Sequence, residues 1–154
     1  MRLYTFGNYY LSSIQQGIQS AHVVSELFTK YPFENAIVWD EPQGKPLYDW
    51  AKTHKTIICL SGGNCDDLHD LYEELAGIGP TLGLPYAKFR EDDASLNGAI
   101  TCCGIVVPAM IYDVAQAVRG LDVVSASIIA EQAGVTLMVE LELAQLLNRY
   151  GLAR

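Results

Sequence analysis

The sequence predicts an α/β protein, with a mixed sheet of four or five strands, helices on both faces and a helical C-terminal extension. Short runs rich in aromatic and β-branched residues alternate with segments whose apolar residues recur at helical spacing. The continuous apolar run 99–107 is typical of a central strand that is covered on both faces. The 154 residues fit a single domain.

Composition limits the class of protein. Half of the residues are apolar and 18% are charged, which excludes a disordered or fibrous chain. The longest apolar run, 102–110, is shorter than the roughly 20 residues that cross a bilayer. The N-terminus lacks the apolar core of a secretory signal. We therefore expect a cytoplasmic protein that does not bind membranes.

The cysteines and the net charge narrow the partners. The four cysteines form no Cys-x-x-Cys pair and have no histidine at ligand spacing, so we expect free thiols and no metal site. A formal net charge of −8 gives no global attraction to phosphate backbones. Lys88 and Arg90 form the best local basic pair.

The first strand and helix have clear sequence signals. Residues 3–10 predict the strand, and either Ser12 or Ser13 can begin a capping box with a glutamine three residues later. The helix should end near Tyr31, because the residue before a proline resists the α conformation. Its apolar face is predicted to hold Ile14, Ile18, Ala21, Val24 and Phe28.

The rest of the chain continues the alternation. The predicted elements are a strand at 36–39, a loop at 42–44, a helix at 47–54, a buried strand at 56–60, a helix at 66–76 capped by Asn64, a connector at 78–84, a strand at 86–90, a polar loop at 91–98, the central strand, and helices at 111–118, 125–132 and 136–150. In strand 86–90, Lys88 and Arg90 share one face and Phe89 lies on the other. The turn containing Gly62 and Gly63 fits tight-turn chemistry better than an anion site, since no Walker lysine follows.

One polar stripe runs along the first helix. Gln15, Gln19, His22 and Glu26 lie at i, i+4, i+7 and i+11 and share a face beside the apolar one. Glu26 could accept a hydrogen bond from the His22 imidazole and so set its tautomer. A stripe of this kind is also typical of a solvated surface, and spacing alone leaves both interpretations open.

A second candidate region precedes and enters the central strand. Asp92, Asp93, Ser95 and Thr101 lie here, and loops at strand ends are where α/β proteins place their ligands. The two adjacent carboxylates could position a water or a histidine, or they could solvate a turn. Composition does not decide between these roles.

Three segments resemble the archaeal and eukaryotic type of peptidyl-tRNA hydrolase, and compact viral members look similar. Gln19-Ser20-Ala21-His22 resembles the Gln-x-x-His helix of that family. Segment 84–94 is similar to its extended stretch ending in Asp-Ala. Segment 101–108 resembles its Thr-x-x-Gly-Ile-x-Pro strand with one extra residue. The resemblance covers about residues 2–118, which implies a family-like core over 1–118 and an extension over 119–154.

The resemblance implies a reaction and a set of site residues. The family cleaves the ester between a peptide and the 3′ end of tRNA without a metal, and we expect no cofactor. His22 would activate or orient a water, and Asp93 or Asp92 would orient the hydrolytic machinery. Thr101 would bind the substrate or stabilise the developing oxyanion, and Gln19 would position a neighbouring group. The expected substrate-binding residues are Gln19, Lys88, Arg90, Asp92 and Ser95.

Two other functions stay open. Gln15 and Gln16 stand near where the family's helix carries a lysine, which favours a non-catalytic binder of a small nucleotide or signalling molecule. Lys88 and Arg90 would then supply positive charge, and Tyr4, Tyr10 or Tyr86 a stacking surface. The third function is a protein-interaction module whose acidic surface docks a basic partner. The apolar stretch 126–147 predicts that the extension packs on the domain or on a second copy, as a homodimer.

Overall fold

The structure is a computed structural model that describes residues 1–33 and 43–153. Its elements are β1 (Arg2–Asn8), α1 (Ser13–Lys30), α2 (Gly44–Asp49), a π-helical turn (Trp50–His54), β2 (Ile57–Gly63), α3 (Cys65–Leu82), β3 (Tyr86–Arg90), α4 (Asp93–Leu96), β4 (Ile100–Val107), α5 (Ala109–Ala117), α6 (Val123–Gln132) and α7 (Met138–Arg149). The strand predicted at 36–39 and the start of the loop at 42–44 lie outside the described residues.

The four strands form a mixed sheet in the order β2-β1-β4-β3. β1 pairs parallel to β2 and antiparallel to β4, and β3 pairs antiparallel to β4. Every residue of β4 is buried, because this strand has a neighbour on each side and helices over both faces. The predicted α/β class and the central position of this strand are confirmed.

Helices cover the two faces of the sheet and form two apolar clusters. On one face, Leu3 and Val106 pack under α1 with Val23 and Leu27. The other face packs against α3 and the three C-terminal helices, in a larger cluster that includes Phe6. The extension therefore packs on its own domain, which was one of the two predicted arrangements.

The last residues of the chain cover the outer edge of β2. Leu152 forms an antiparallel bridge with Leu60. The Ser61 N–H donates to the Gly151 carbonyl at 2.9 Å, and the Ala153 N–H donates to the Cys59 carbonyl at 3.0 Å. This pairing satisfies backbone groups that an edge strand otherwise leaves exposed.

Three predicted boundaries are corrected. The strand predicted to be buried at 56–60 is the edge strand β2, whose first residue, Ile57, is 39% exposed. The helix predicted at 66–76 continues through the expected connector to Leu82, because Ile78 and Gly79 still bury against the sheet side. The loop at 91–98 contains the short helix α4.

The apolar face predicted for α1 is wrong over its first half. Ile14 is 77% exposed and Ile18 is 51% exposed. The buried residues are instead Gln16, Gln19, Ser20, Val23 and Leu27. The helix is turned in this way because Val23 and Leu27 anchor its second half on the sheet, while Gln19 and Ser20 find polar partners on β4 and β1. The predicted capping box is confirmed, with Ser12 as N-cap.

A helix that crosses a bilayer needs roughly 20 predominantly apolar residues. Within residues 1–33 and 43–153, no helix is both long enough and apolar enough to span a membrane.

The buried thiols of β4 predict a loss of stability at alkaline pH. Burial raises the pKa of Cys102 from 9.0 to about 12 and raises that of Cys103 as well. The folded chain then holds a proton that the unfolded chain has released. Stability is therefore complete below about pH 9 and falls as the pH rises towards 12. For one such thiol the loss by pH 10 is about 1.4 kcal/mol.

Urea unfolding at pH 8 and pH 10 measures this loss. The Cys102→Ala variant is expected to show a smaller decrease in unfolding free energy between the two pH values than the wild type. An identical decrease in both proteins would contradict the assignment to Cys102.

Candidate functional site

The predicted site lies at the end of the sheet where β1, β2 and β3 finish and β4 begins. The pairing register places Asn8 beside Gly63 and Arg90 beside Ile100 at this end. The first half of α1 crosses the same end of the sheet, and the segment after β3 returns along it. Residues from four distant parts of the chain are therefore neighbours here.

A buried hydrogen bond joins α1 to β4 at this end of the sheet. The Thr101 Oγ1 and the Gln19 Oε1 are 2.9 Å apart, and the Gln19 Nε2 donates to the Glu91 Oε1 at 2.7 Å. Thr101 is 2% exposed and Gln19 is 8% exposed. An ionised carboxylate can only accept, so the Gln19 NH₂ group must face Glu91 and its carbonyl must face Thr101. The Thr101 hydroxyl is therefore the donor in the bond to Gln19.

This orientation defines what Thr101 contributes. The Thr101 hydroxyl donates its hydrogen to the Gln19 carbonyl, and the side chain is buried beneath α1. Thr101 is thus a positioning residue that fixes the Gln19 amide. A direct contact between Thr101 and a substrate stays a prediction from the family resemblance.

A second polar group lies beside the first under α1. The Thr5 and Ser20 hydroxyls are 2.8 Å apart, and the Ser20 hydroxyl donates to the Gln16 carbonyl at 2.9 Å. The Gln16 Nε2 donates to the Leu11 carbonyl at 3.1 Å. The Gln16 Oε1 is the buried side-chain acceptor that has no partner among the described residues. The interior polar layer therefore extends along about one turn of the helix, from Gln16 to Ser20.

The sequence analysis missed this layer. Gln16, Gln19 and Ser20 recur at i, i+3 and i+4, which is a helical stripe in its own right. Thr5 and Thr101 are polar residues inside apolar strands. Polar residues at matching positions of a helix and a strand were the signal that could have identified the layer.

His22 lies one turn beyond Gln19 and is exposed. Its imidazole stacks on the Phe89 ring, with centroids 4.3 Å apart and planes at 11°. Among the described residues, no hydrogen bond or ion pair joins it to Glu26 or to Asp93. The ring is therefore held by Phe89 and not by the expected bond to Glu26, and Phe89 is a site residue that sequence reasoning missed.

Asp92 and Asp93 have different surroundings. Asp92 is the N-cap of α4, where its Oδ1 accepts the Ser95 N–H at 2.6 Å. Hydrogen bonds from Ser95 lower the pKa of Asp92, so this carboxylate stays ionised in a structural role. Asp93 lies in the first turn of α4 and is exposed, and within the described ranges its carboxylate makes no hydrogen bond. Asp93 therefore has no structural partner of the kind that holds Asp92, and its catalytic role stays a prediction from the family resemblance.

Lys88 and Arg90 lie on the opposite face of β3 from Phe89, as the alternation predicted. The Lys88 Nζ lies 3.9 Å from the centroid of the Tyr72 ring on α3. The Arg90 Nη1 donates to the Gly98 carbonyl at 2.9 Å. The structure therefore brings Gln19, Thr101 and His22 to one side of β3 and these two cations to the other.

Metal ligation and similarity to known proteins complete the description of the site. The described part of the chain contains no group of three His, Cys, Asp or Glu side chains that could hold a metal ion. No protein-family model matches the chain, and a search of curated proteins finds no significant relative.

Proposed function

We propose that the protein hydrolyses the ester between a peptide and the 3′ end of tRNA, or a closely related nucleotide-linked ester, in the cytoplasm. One observation carries the proposal. The Gln19–Thr101 hydrogen bond joins two motifs that were identified separately and lie 82 residues apart. Two segments that share a function must meet in the fold, and these two meet through a buried, specific contact.

His22 is the proposed general base. The imidazole takes a proton from a water, the water oxygen bonds to the ester carbonyl carbon, and a tetrahedral intermediate forms. The carbon–oxygen bond to the ribose then breaks, and the imidazolium returns its proton to the leaving 3′ oxygen. The products are tRNA and a peptide carboxylic acid, which releases its proton to water and leaves as the carboxylate. Stacking on Phe89 restricts the imidazole, which supports this role.

The neighbouring polar residues have supporting roles. Thr101 and Glu91 fix both ends of the Gln19 amide, which leaves this side chain a single orientation beside His22. A fixed amide can orient a substrate group without a cost in rotamer freedom. Asp93, exposed at the start of α4, is the proposed carboxylate that orients the water.

Release of tRNA from peptidyl-tRNA tests the proposal. Purified protein is incubated with a peptidyl-tRNA that carries a labelled peptide, and deacylated tRNA is separated on an acidic gel. We expect release well above the rate without protein. Release at the background rate across protein concentrations would contradict the proposed reaction.

A non-catalytic nucleotide-binding protein is the second candidate. The observation that favours it is the position of Lys88 and Arg90, which lie away from His22 and beside the aromatic ring of Tyr72. Mass spectrometry of the supernatant after heat denaturation would then detect an unaltered nucleotide. Turnover of peptidyl-tRNA with no nucleotide recovered would favour the hydrolase.

We also propose that two copies associate through the C-terminal helices. Val124 and Ile128 on α6 are 69% and 52% exposed, and Met138 at the start of α7 is 67% exposed. Val124 and Ile128 are one turn apart and share a face of α6, and exposed apolar side chains of this kind are typical of an interface. Light scattering is expected to give twice the mass of the 16.9 kDa chain, and the mass of a single chain would contradict the dimer.

A further inference from the structure

A cavity of about 340 Å³ lies at the outer edge of β3. Its lining comes from the end of α1, from β3 and from α3, and consists of Glu26, Lys30, Tyr72, Ala87, Lys88 and Arg90. The lining thus gathers three of the ten Lys and Arg residues of a chain whose net charge is −8. Sequence reasoning identified Lys88 and Arg90 but not Lys30, because a helix and a strand 56 residues away bring it there.

The three cations are held without being neutralised. In the described part of the chain, none of them forms a salt bridge. The Lys30 Nζ lies 3.4 Å from the Tyr86 ring centroid and donates to the Tyr86 carbonyl at 3.2 Å. The Lys88 Nζ lies 3.9 Å from the Tyr72 ring centroid, and the Arg90 Nη1 donates to the Gly98 carbonyl at 2.9 Å. Aromatic faces and carbonyl oxygens orient a cation but leave its full charge in place.

The three cations repel one another at this short range, and a bound anion would reduce that repulsion. Partial burial, and then repulsion from Lys88, lower the pKa of Lys30. Burial and repulsion from Arg90 lower the pKa of Lys88, although Glu73 acts in the opposite direction. Glu26 and Glu73 are the carboxylates near the cluster, and neither is ion-paired with it. Because these two carboxylates do not pair with the cations, a bound anion would offset the repulsion that remains among Lys30, Lys88 and Arg90.

We propose that this cavity binds a phosphate group, carried by a nucleotide or by the backbone at an RNA 3′ end. Two ammonium groups and one guanidinium fork offer donors to several oxygens at once, which suits a phosphate. The inference rests on the proposed function only for the identity of the carrier, because phosphate binding requires no ester cleavage.

The geometry of β3 connects this cavity to His22. Phe89 points towards the imidazole, while its neighbours Lys88 and Arg90 point into the cavity. Consecutive Cα atoms are only about 3.8 Å apart. A ligand that curves around the edge of β3 can therefore place a phosphate at the cations and its reacting group at His22.

Binding measurements with matched lysine variants test the proposal. The probes are adenosine 5′-monophosphate and a labelled RNA oligonucleotide with the sequence of a tRNA 3′ end. The variants are Lys30→Gln and Lys88→Gln, and the control is Lys52→Gln, which removes the same charge from an exposed position outside the cavity. Urea unfolding confirms that each variant is folded.

Each cavity variant is expected to weaken binding about 10-fold, as for the loss of a charge-assisted hydrogen bond, while the control stays within about twofold. For the RNA, the salt slope should fall by about 0.7 for each cavity lysine removed. Binding of both probes assigns a general phosphate site, and binding of the RNA alone assigns the backbone as the carrier.

Two results would overturn the phosphate site. The first is that neither probe binds the wild type. The second is that Lys52→Gln weakens binding as much as the cavity variants do. Binding would then depend on overall charge, and Lys88 on the edge strand β3 would serve only to prevent strand pairing. Absent hydrolysis together with selective binding would contradict the proposed reaction but not this site.

Discussion

Replacing His22 with alanine is expected to slow peptidyl-tRNA hydrolysis by at least about 100-fold, which is the lower range for removing a general acid–base group. The free energy of unfolding should change by less than about 1 kcal/mol, because the side chain is exposed and loses only its contact with Phe89. Single-turnover rates of tRNA release and urea unfolding measure the two quantities on the same preparations.

The matched control for this variant is His69→Ala. His69 is exposed on α3, where it lies 3.8 Å from Glu73 and outside the proposed site. We expect its hydrolysis rate to equal that of the wild type. If His22→Ala keeps the wild-type rate, or if both variants lose activity equally, His22 is not the general base.

Replacing Thr101 with valine is expected to lower the free energy of unfolding by about 1–3 kcal/mol. Valine has nearly the same shape, so the cavity term is small, but the buried Gln19 carbonyl loses its donor. The amide is then free to turn away from Glu91, which should reduce the hydrolysis rate as well. Urea unfolding and a kcat-against-KM comparison measure both effects.

Two variants separate positioning from simple loss of stability. Thr101→Ser restores the hydroxyl and is expected to recover most of the rate, although it lacks the methyl group. Thr29→Val removes a hydroxyl from the exposed side of α1, where it donates to the Ser25 carbonyl, and should cost at most about 0.5 kcal/mol. Equal costs for Thr101→Val and Thr29→Val would show that the buried bond adds nothing.

A double-mutant cycle with Gln19→Leu isolates the bond itself. Residues that share a buried hydrogen bond couple by about 0.5–3 kcal/mol. The double variant removes both polar partners, so it should be less destabilised than the sum of the two single variants. Additive effects would place the stabilisation elsewhere in the polar layer.

Local signals predicted most of the architecture. The nearly continuous apolar run predicted the central strand β4, in which Thr101 is the one polar side chain, because a strand covered on both faces is buried along its whole length. Ser12 and Asn64 marked the starts of α1 and α3, because a cap depends on residues within one turn. These features are decided by neighbours along the chain.

The orientation of α1 could not be predicted in this way. Ile14 and Ile18 continue the apolar periodicity of the helix, and periodicity alone places them inside. The structure exposes them and buries Gln19 and Ser20, because Thr101 and Thr5 offer polar partners on the sheet. Those partners lie far away in sequence. Such a conflict between local pattern and final packing is expected at functional sites.

The residues of the candidate site were predicted correctly where local geometry decides their position, and were missed where distant segments decide it. The alternation of β3 correctly placed Lys88 and Arg90 opposite Phe89, since strand geometry is local. Composition alone did not separate the roles of Asp92 and Asp93, although the cap that occupies Asp92 is local, formed with Ser95 three residues later. Lys30 joins the cations only through the packing of α1 on β3.

The most direct test of the account is where a substrate analogue binds. A short peptide linked by an amide to the 3′ position of adenosine resists hydrolysis, and its titration can be followed in ¹⁵N-labelled protein by NMR. We expect the backbone amide signals of Gln19, His22 and Thr101 to shift together and to saturate at one affinity. Shifts confined to the cavity under the C-terminal tail, around Tyr112 and Tyr150, would contradict it.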